Sequence, residues 1–210
     1  MKTTVAAIDF GTSKIVTLVA ENSGSQRCDI VGAGIAAYDG YLEEGWNNPA
    51  ALDAAIRQSV SEAESQSHRK IHALNIGVPG AFTRVYATKV TIDLKGTAPQ
   101  VTASDVKDVF KQAAANLDKL PGVVIHSSPA WFTVDDDKKT LEPVGLKGRQ
   151  LSGLISFVVA NQFFVDDVNN RIREMGIDVA GFFSTPAGEA MLYLPEEDRD
   201  RTAELIDIGY

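Results

Sequence analysis

A short apolar run ending in Asp, one apolar residue and Gly occurs twice in these 210 residues. It stands first as Ala7-Ile8-Asp9-Phe10-Gly11 and, about 200 residues later, as Leu205-Ile206-Asp207-Ile208-Gly209. A strand that ends this way and returns at domain spacing points to two related domains, each opening on the same element. The second copy stops where its turn should begin, so the chain is expected to be truncated at the start of a second domain. The first copy runs on through Thr12-Ser13-Lys14 into another apolar run, Ile15 to Glu21. That is a hairpin whose tip carries a glycine, two hydroxyls, a cation and a carboxylate.

A phosphate chain needs backbone N–H groups converging on its oxygens, room for close approach, and neutralisation of its charge. Gly11 supplies the approach, Thr12 and Ser13 hydroxyl donors, and Lys14 a cation. Asp9 supplies a carboxylate able to hold the water shell that magnesium keeps when bound. By the same pattern Asp207 and Gly209 begin a second half-site, with Asp207 also holding magnesium through water. Two facing copies would clamp one nucleotide. A plain tight turn would use the same residues, so the place of the hairpin in the fold decides its meaning.

That place follows from the order of elements. Thr4 to Asp9, Ile15 to Glu21 and Cys28 to Ala37 read as three antiparallel strands separated by turn clusters. Pro49 to Gln66 predicts a helix, with Leu52, Ile56, Val60 and Ala63 at helical spacing, and Ile71 to Gly77 a fourth strand. Asn161 to Met175 places Phe164, Val168, Ile172 and Met175 on one helical face, with Gly176 to end it. Ile177 to Phe183 is then a fifth strand. Thr185 is expected to N-cap a last helix lined by Ala187, Ala190, Met191 and Leu194, and Ala203 to Asp207 to begin a new strand. This is the order of an α/β, ribonuclease-H-like mixed sheet with helices.

The interval from about 84 to 160 interrupts it. Val85 to Leu94, Val123 to Val134 and Leu151 to Ala160 read as strands. Thr102-Ala103-Ser104-Asp105 has the form of a capping box, opening a helix with Val106, Val109 or Phe110, Ala113, Leu117 and Leu120 on one face. A strand, helix, strand, strand unit of this size can hold its own core and reads as an inserted subdomain.

A net charge of −8 and a pI near 4.9 argue against nucleic acid or anionic lipid as main partners. No apolar run approaches a signal-peptide core or a membrane span, and the single cysteine, Cys28, has no partner thiol, so a cytosolic setting is expected. His68 and His72 straddle a helix-to-strand boundary without further ligands, and His126 reads as a strand-end residue. Asp135-Asp136-Asp137 lacks the alternating spacing of a calcium loop and reads as a hairpin turn. Glu196 to Arg201 reads as an exposed linker, and Trp131, Phe132, Phe157, Phe163 and Phe164 as core.

At this point the residues resemble the actin, chaperone and sugar-kinase superfamily, and within it FtsA, the family of bacterial cell-division actin homologues. Ala7 to Val16 is similar to its first phosphate motif. His126-Ser127-Ser128-Pro129-Ala130-Trp131-Phe132-Thr133-Val134-Asp135, followed by Pro143 to Leu151, resembles a strand and loop of its inserted subdomain 1C. Thr185-Pro186-Ala187 through Asp207-Ile208-Gly209 resembles its connecting helix and second phosphate motif. The resemblance implies an actin-like fold, with 1–83 and 161–202 as subdomain 1A, 84–160 as the inserted 1C, and 203–210 as the first strand of a second domain, 2A. It implies an ATP- and magnesium-binding scaffold that assembles with itself as a filament or dimer, binding weakly or not at all as a fragment. The tubulin-like division protein FtsZ would bind through the missing half, and other division proteins through residues 84–160. The membrane would be reached only through a missing C-terminal helix, at the inner face of the cell membrane and the division septum. Two positions depart from the pattern: Tyr210 replaces a second glycine, and Thr185 replaces the Gln or Glu that orients attacking water, so at most a slow ATPase is expected. The alternatives within the superfamily are a sugar or small-molecule kinase and a pilus-assembly binding protein.

Overall fold

The computed structural model describes residues 3–22, 28–42, 45–117, 121–195, 197 and 203–208. The chain begins with β1 (Thr3–Phe10), β2 (Lys14–Asn22), β3 (Cys28–Ala37), β4 (Tyr41–Leu42), β5 (Gly45–Trp46), α1 (Pro49–Ser67) and β6 (Ala73–Val78). It continues with β7 (Thr83–Asp93), α2 (Ala103–Ala115), β8 (Val123–Val134), β9 (Gln150–Ala160), α3 (Gln162–Glu174), β10 (Asp178–Ser184) and α4 (Thr185–Tyr193). These form two compact units, 1–83 with 160–210, and 84–159.

The first unit is a five-stranded mixed sheet in the order β10-β6-β1-β2-β3. β1, β2 and β3 form an antiparallel meander, and β6 runs parallel to both β1 and β10. Period-two alternation gives the sheet one apolar face, with Ile8, Phe10, Ile15, Val19, Leu74, Ile76 and Val78 buried. From α1 the residues Leu52, Ile56, Val60 and Ala63 are buried, and from α3 Phe164, Val168 and Ile172, at the spacing that puts each set on one helical face. α1 lies unusually close to β3, because Gly32 and Gly34 carry no side chain: a methyl on Gly32 would sit 2.5 Å from the Ala63 carbonyl oxygen, and one on Gly34 would overlap that of Ser59. Across this seam Thr17 and Ser59, both buried, satisfy each other's hydroxyls at 2.9 Å. Arg171 of α3 bonds Asp167 and Asp53, tying α3 to α1.

Three local expectations are corrected. Ser184, not Thr185, caps α4: its hydroxyl accepts the Ala187 N–H, while the Thr185 hydroxyl is committed elsewhere. The expected apolar side of α4 is not core either, since no residue of the helix is buried and Met191 is 69% exposed. Residues 203–208 form no strand. A strand exists only with a hydrogen-bonded neighbour, and none of the described residues pairs with them. The expected linker at Glu196 to Arg201 falls almost wholly outside the described residues.

The second unit is a three-stranded sheet in the order β7-β9-β8 with α2. Val90, Val109, Ala113, Phe132, Leu151, Ile155 and Phe157 are among its buried core, with Phe110 and Leu117 packed at the margin; Leu120 lies outside the described residues. α2 opens on a reciprocal capping box between Thr102 and Asp105. Asp135 and Asp136, both at positive φ, turn the chain after β8, and the Asp135 carboxylate accepts the Arg149 and Gln150 N–H groups. His126 is an exposed residue within β8. Of the aromatic residues expected in cores, Trp131 is only half-buried, with Lys89 and Lys139 over its ring, and Phe163 is 42% exposed, because it falls on the outer side of α3 beside Phe164, which is buried.

The α1–β3 seam is intolerant of volume. Gly34→Ala should lower the stability of the first unit by about 1–3 kcal/mol, the range for forcing a methyl into packed structure. Urea unfolding followed by circular dichroism would check it, and a midpoint equal to that of the parent protein would refute the close approach.

Candidate functional site

Asp9 is the penultimate residue of β1. Burial of Ile8 and Phe10 on the helix-covered face sends its carboxylate to the opposite one. There Thr185, the first residue of α4, donates its hydroxyl to Asp9 Oδ1 at 2.9 Å. The space for this pair comes from Gly77 on the neighbouring β6, where a methyl would lie 2.9 Å from both Asp9 Oδ1 and Thr185 Oγ1.

The hairpin tip is held from both sides. The Gly11 N–H donates to the Lys14 carbonyl at 3.0 Å, the Tyr38 hydroxyl to the Gly11 carbonyl at 2.6 Å, and the Tyr38 N–H to the Ser13 carbonyl at 3.1 Å. Gly40 crosses the tip at φ +73°, and a methyl on it would overlap the Thr12 carbonyl oxygen. Gly11 therefore spends its N–H within the hairpin. Among the described residues the N–H groups of Thr12 and Ser13 have no partner, which leaves them as donors toward an anion.

Beside the hairpin opens a cleft of about 820 Å³. Asp9 to Lys14, Tyr41, the Pro79–Ala81 turn, the first turns of α4, and Leu205, Asp207 and Ile208 line it. The structure thus brings Asp9, Gly11, Thr12, Ser13, Lys14 and Asp207 to one cavity, whereas Gly209 and Tyr210 lie outside the described residues. Lys14 is the one cation among the described lining residues, against Asp9, Glu189 and Asp207. These charges feel one another. Burial first, then Asp207 and Asp9, raises the Glu189 pKa, and burial first, then Asp9 and Asp207, raises that of Tyr41. Tyr38 is pushed well above the usual phenol range, chiefly by burial. Among the described residues no three carboxylate, His or Cys groups converge closely enough to ligate a metal directly.

Tyr38, Gly40, Tyr41, Gly77 and Glu189 are the site residues that sequence reasoning misses. Glu189 alone carried a signal, an acid inside an otherwise small and apolar helix. The others reach the hairpin only through tertiary contacts.

Residues 80–159 match the SHS2 domain inserted in FtsA. Over 205 residues the chain is 25% identical to the cell division protein FtsA of Neisseria meningitidis serogroup B, covering 98% of this chain and 49% of that protein. It is 25% identical over 202 residues to FtsA of Streptococcus pneumoniae serotype 2, covering 96% and 44%, and 20% identical over 205 residues to FtsA of Escherichia coli K12, covering 98% and 48%. The chain spans about half the length of the curated relatives it matches. Among solved structures, the PilM-PilN type IV pilus biogenesis complex superposes with a TM-score of 0.55 at 16% identity, covering 89% of this chain and 49% of that one. That likeness shows a shared actin-like fold.

The acidic cleft has a measurable cost. The folded-state pKa of Glu189 is raised, so its ionised form is the disfavoured one: the penalty operates above the folded pKa and vanishes below the unfolded value. Glu189→Gln should raise the melting temperature at neutral pH, and the gain should disappear as pH falls through the carboxylate range. A gain that persisted at acid pH would show that charge is not its source.

Proposed function

We propose, from the chain's likeness to FtsA over nearly its whole length, that it is the nucleotide-holding part of a polymerising scaffold of bacterial cell division. In this reading the intact protein binds ATP with magnesium, assembles with itself, and links the tubulin-like division protein FtsZ to the inner face of the membrane at the septum. Residues 84–159 would receive other division proteins. The observation that carries the nucleotide half is the single cleft into which both Asp-containing motifs project, Asp9 from the hairpin and Asp207 from its echo.

The residues fit a magnesium–phosphate ligand. A cleft with three carboxylates and one lysine repels a bare anion, and magnesium, when bound, supplies the charge that lets phosphate oxygens sit there. Asp9 and Asp207 would hold it through its water shell. Thr12 and Ser13 would present N–H groups and hydroxyls, and Lys14 its ammonium. Thr185 holds the Asp9 carboxylate in place and has no carboxylate or amide with which to orient water, which supports slow hydrolysis at most.

A second reading, a pilus-assembly binding protein, is favoured by the fold likeness to the PilM-PilN complex. Imaging of the tagged intact protein separates the two: a band at midcell supports division, and foci at the pole or envelope that never reach the septum support the other. For the nucleotide half, calorimetry of the intact protein should show ATP binding that requires magnesium, weakened about tenfold or more by Asp9→Asn. No heat with the parent protein under any magnesium concentration would sink it.

A further inference from the structure

Tyr41 enters the cleft from β4, and the roles given to the hairpin leave it unused. Its ring is fixed: the centroid lies 4.9 Å from that of Phe82 and, edge-on, 6.3 Å from that of Trp46. Trp46 is itself tethered, donating its indole N–H to Asp167 at 2.7 Å. A side chain held in this way loses little freedom when its free end meets a ligand. That end is the hydroxyl, which has no hydrogen-bond partner among the described residues even though the Asp9 and Asp207 carboxylates are within electrostatic reach.

The phenol stays protonated at neutral pH in such surroundings, so it is a neutral donor in a cleft otherwise crowded with acceptors. The two carboxylates do not take its hydrogen. Its acceptor must then come from a molecule in the cleft, and in the nucleotide reading a phosphate chain at the hairpin would bring oxygens to the space between Asp9 and Asp207.

We propose that Tyr41 is a phosphate-binding residue, donating its hydroxyl to an oxygen of the bound nucleotide's phosphate chain. The inference rests on the nucleotide reading of the same cleft. It assigns the short β4–β5 hairpin a function, to carry a donor into the site on a ring braced from behind.

The test is Tyr41→Phe in the intact protein, titrated with ATP and magnesium by calorimetry, with Tyr193→Phe as control. The Tyr193 side chain is 67% exposed and does not line the cleft. Tyr41→Phe keeps the ring and its stacking, so its unliganded urea midpoint should match that of the parent. The expected result is ATP–magnesium affinity about tenfold weaker for Tyr41→Phe and unchanged for the control, the scale of one hydrogen bond to a charged acceptor. Affinity within twofold of the parent would overturn the role of Tyr41 while leaving the nucleotide reading intact. Failure of the parent to bind ATP would overturn both. If Tyr41→Phe lowers the unliganded midpoint, adenosine supplies the second arm: it lacks the phosphate chain, so an equal loss of affinity for adenosine and for ATP would overturn the donor role.

Discussion

Five aromatic rings packed beneath the hairpin hold the first unit's cleft in shape. Phe10 meets Phe164 edge-on at 5.6 Å and Trp46 at 5.8 Å, while Phe82 lies 4.8 Å from Phe164 and 4.9 Å from Tyr41. Each such pair contributes about 0.5–1.5 kcal/mol beyond the area it buries, and the cluster joins the end of β1, the β4–β5 hairpin, the turn after β6 and the first turns of α3. Its consequence for the site is geometric. With Phe10 locked inward, the strand's alternation leaves Asp9 no choice but the outer face, where Thr185 and the space above Gly77 receive it. Tyr41 belongs to both worlds, its ring in the cluster and its hydroxyl in the cleft.

The electrostatics of the cleft follow from that arrangement. Burial, Asp207 and Asp9 raise the cost of ionising Glu189, and Lys14 is an exposed cation set against three carboxylates. A site of this kind is poor for a free anion and good for an anion that brings its own cation. Apart from Lys14, the donors around it are neutral: hydroxyls, backbone N–H groups and a phenol that burial keeps protonated. The Gly11 N–H is used within the hairpin, so in the proposed reading the donors toward phosphate would be the N–H groups one and two residues onward.

Much of the fold was legible because it is written in local patterns. The β1–β2–β3 meander shows as three β-rich runs between turn residues. α1 and α3 show as apolar residues at helical spacing: Leu52, Ile56, Val60, Ala63, Phe164, Val168 and Ile172 are buried as the spacing predicts, while Met175, past the end of α3, is only half-buried. α2 shows as Thr102 and Asp105, three apart, which make the capping box. What failed was decided by partners distant in sequence. Thr185 looks like a cap until Asp9 claims its hydroxyl, and Ser184 then takes the position. Ala203 to Asp207 has strand composition, yet composition cannot supply the neighbour that a ladder requires. In the candidate site, Asp9 to Lys14 are visible as a contiguous motif. Gly40 and Gly77 matter only as empty volume beside Thr12 and Asp9, a property no local pattern encodes. The apolar character of Phe163 misled for a related reason, since one position along α3 separates the inward Phe164 from the surface.

The insertion of 84–159 into the first unit has its own physical logic. The chain leaves after Phe82 and returns at Asn161, and there the Asn161 N–H donates to the Phe82 carbonyl at 2.8 Å. Departure and return are thus a single hydrogen-bonded point, so a segment of this length can be accommodated without parting the elements on either side. Phe82 is a member of the aromatic cluster, and Asn161 caps α3, whose first turn delivers Phe164 to the same cluster. The base of the insertion is therefore among the most constrained places in the first unit. The inserted unit has its own core and a different charge: ten Lys and Arg against eight Asp and Glu, where the rest of the chain has ten against twenty. An acidic unit and a near-neutral one, each with its own core, can each change surface residues without disturbing the other's packing. Such independence suits the proposed division of labour, in which one part would keep a fixed ligand site while the other would meet different protein partners.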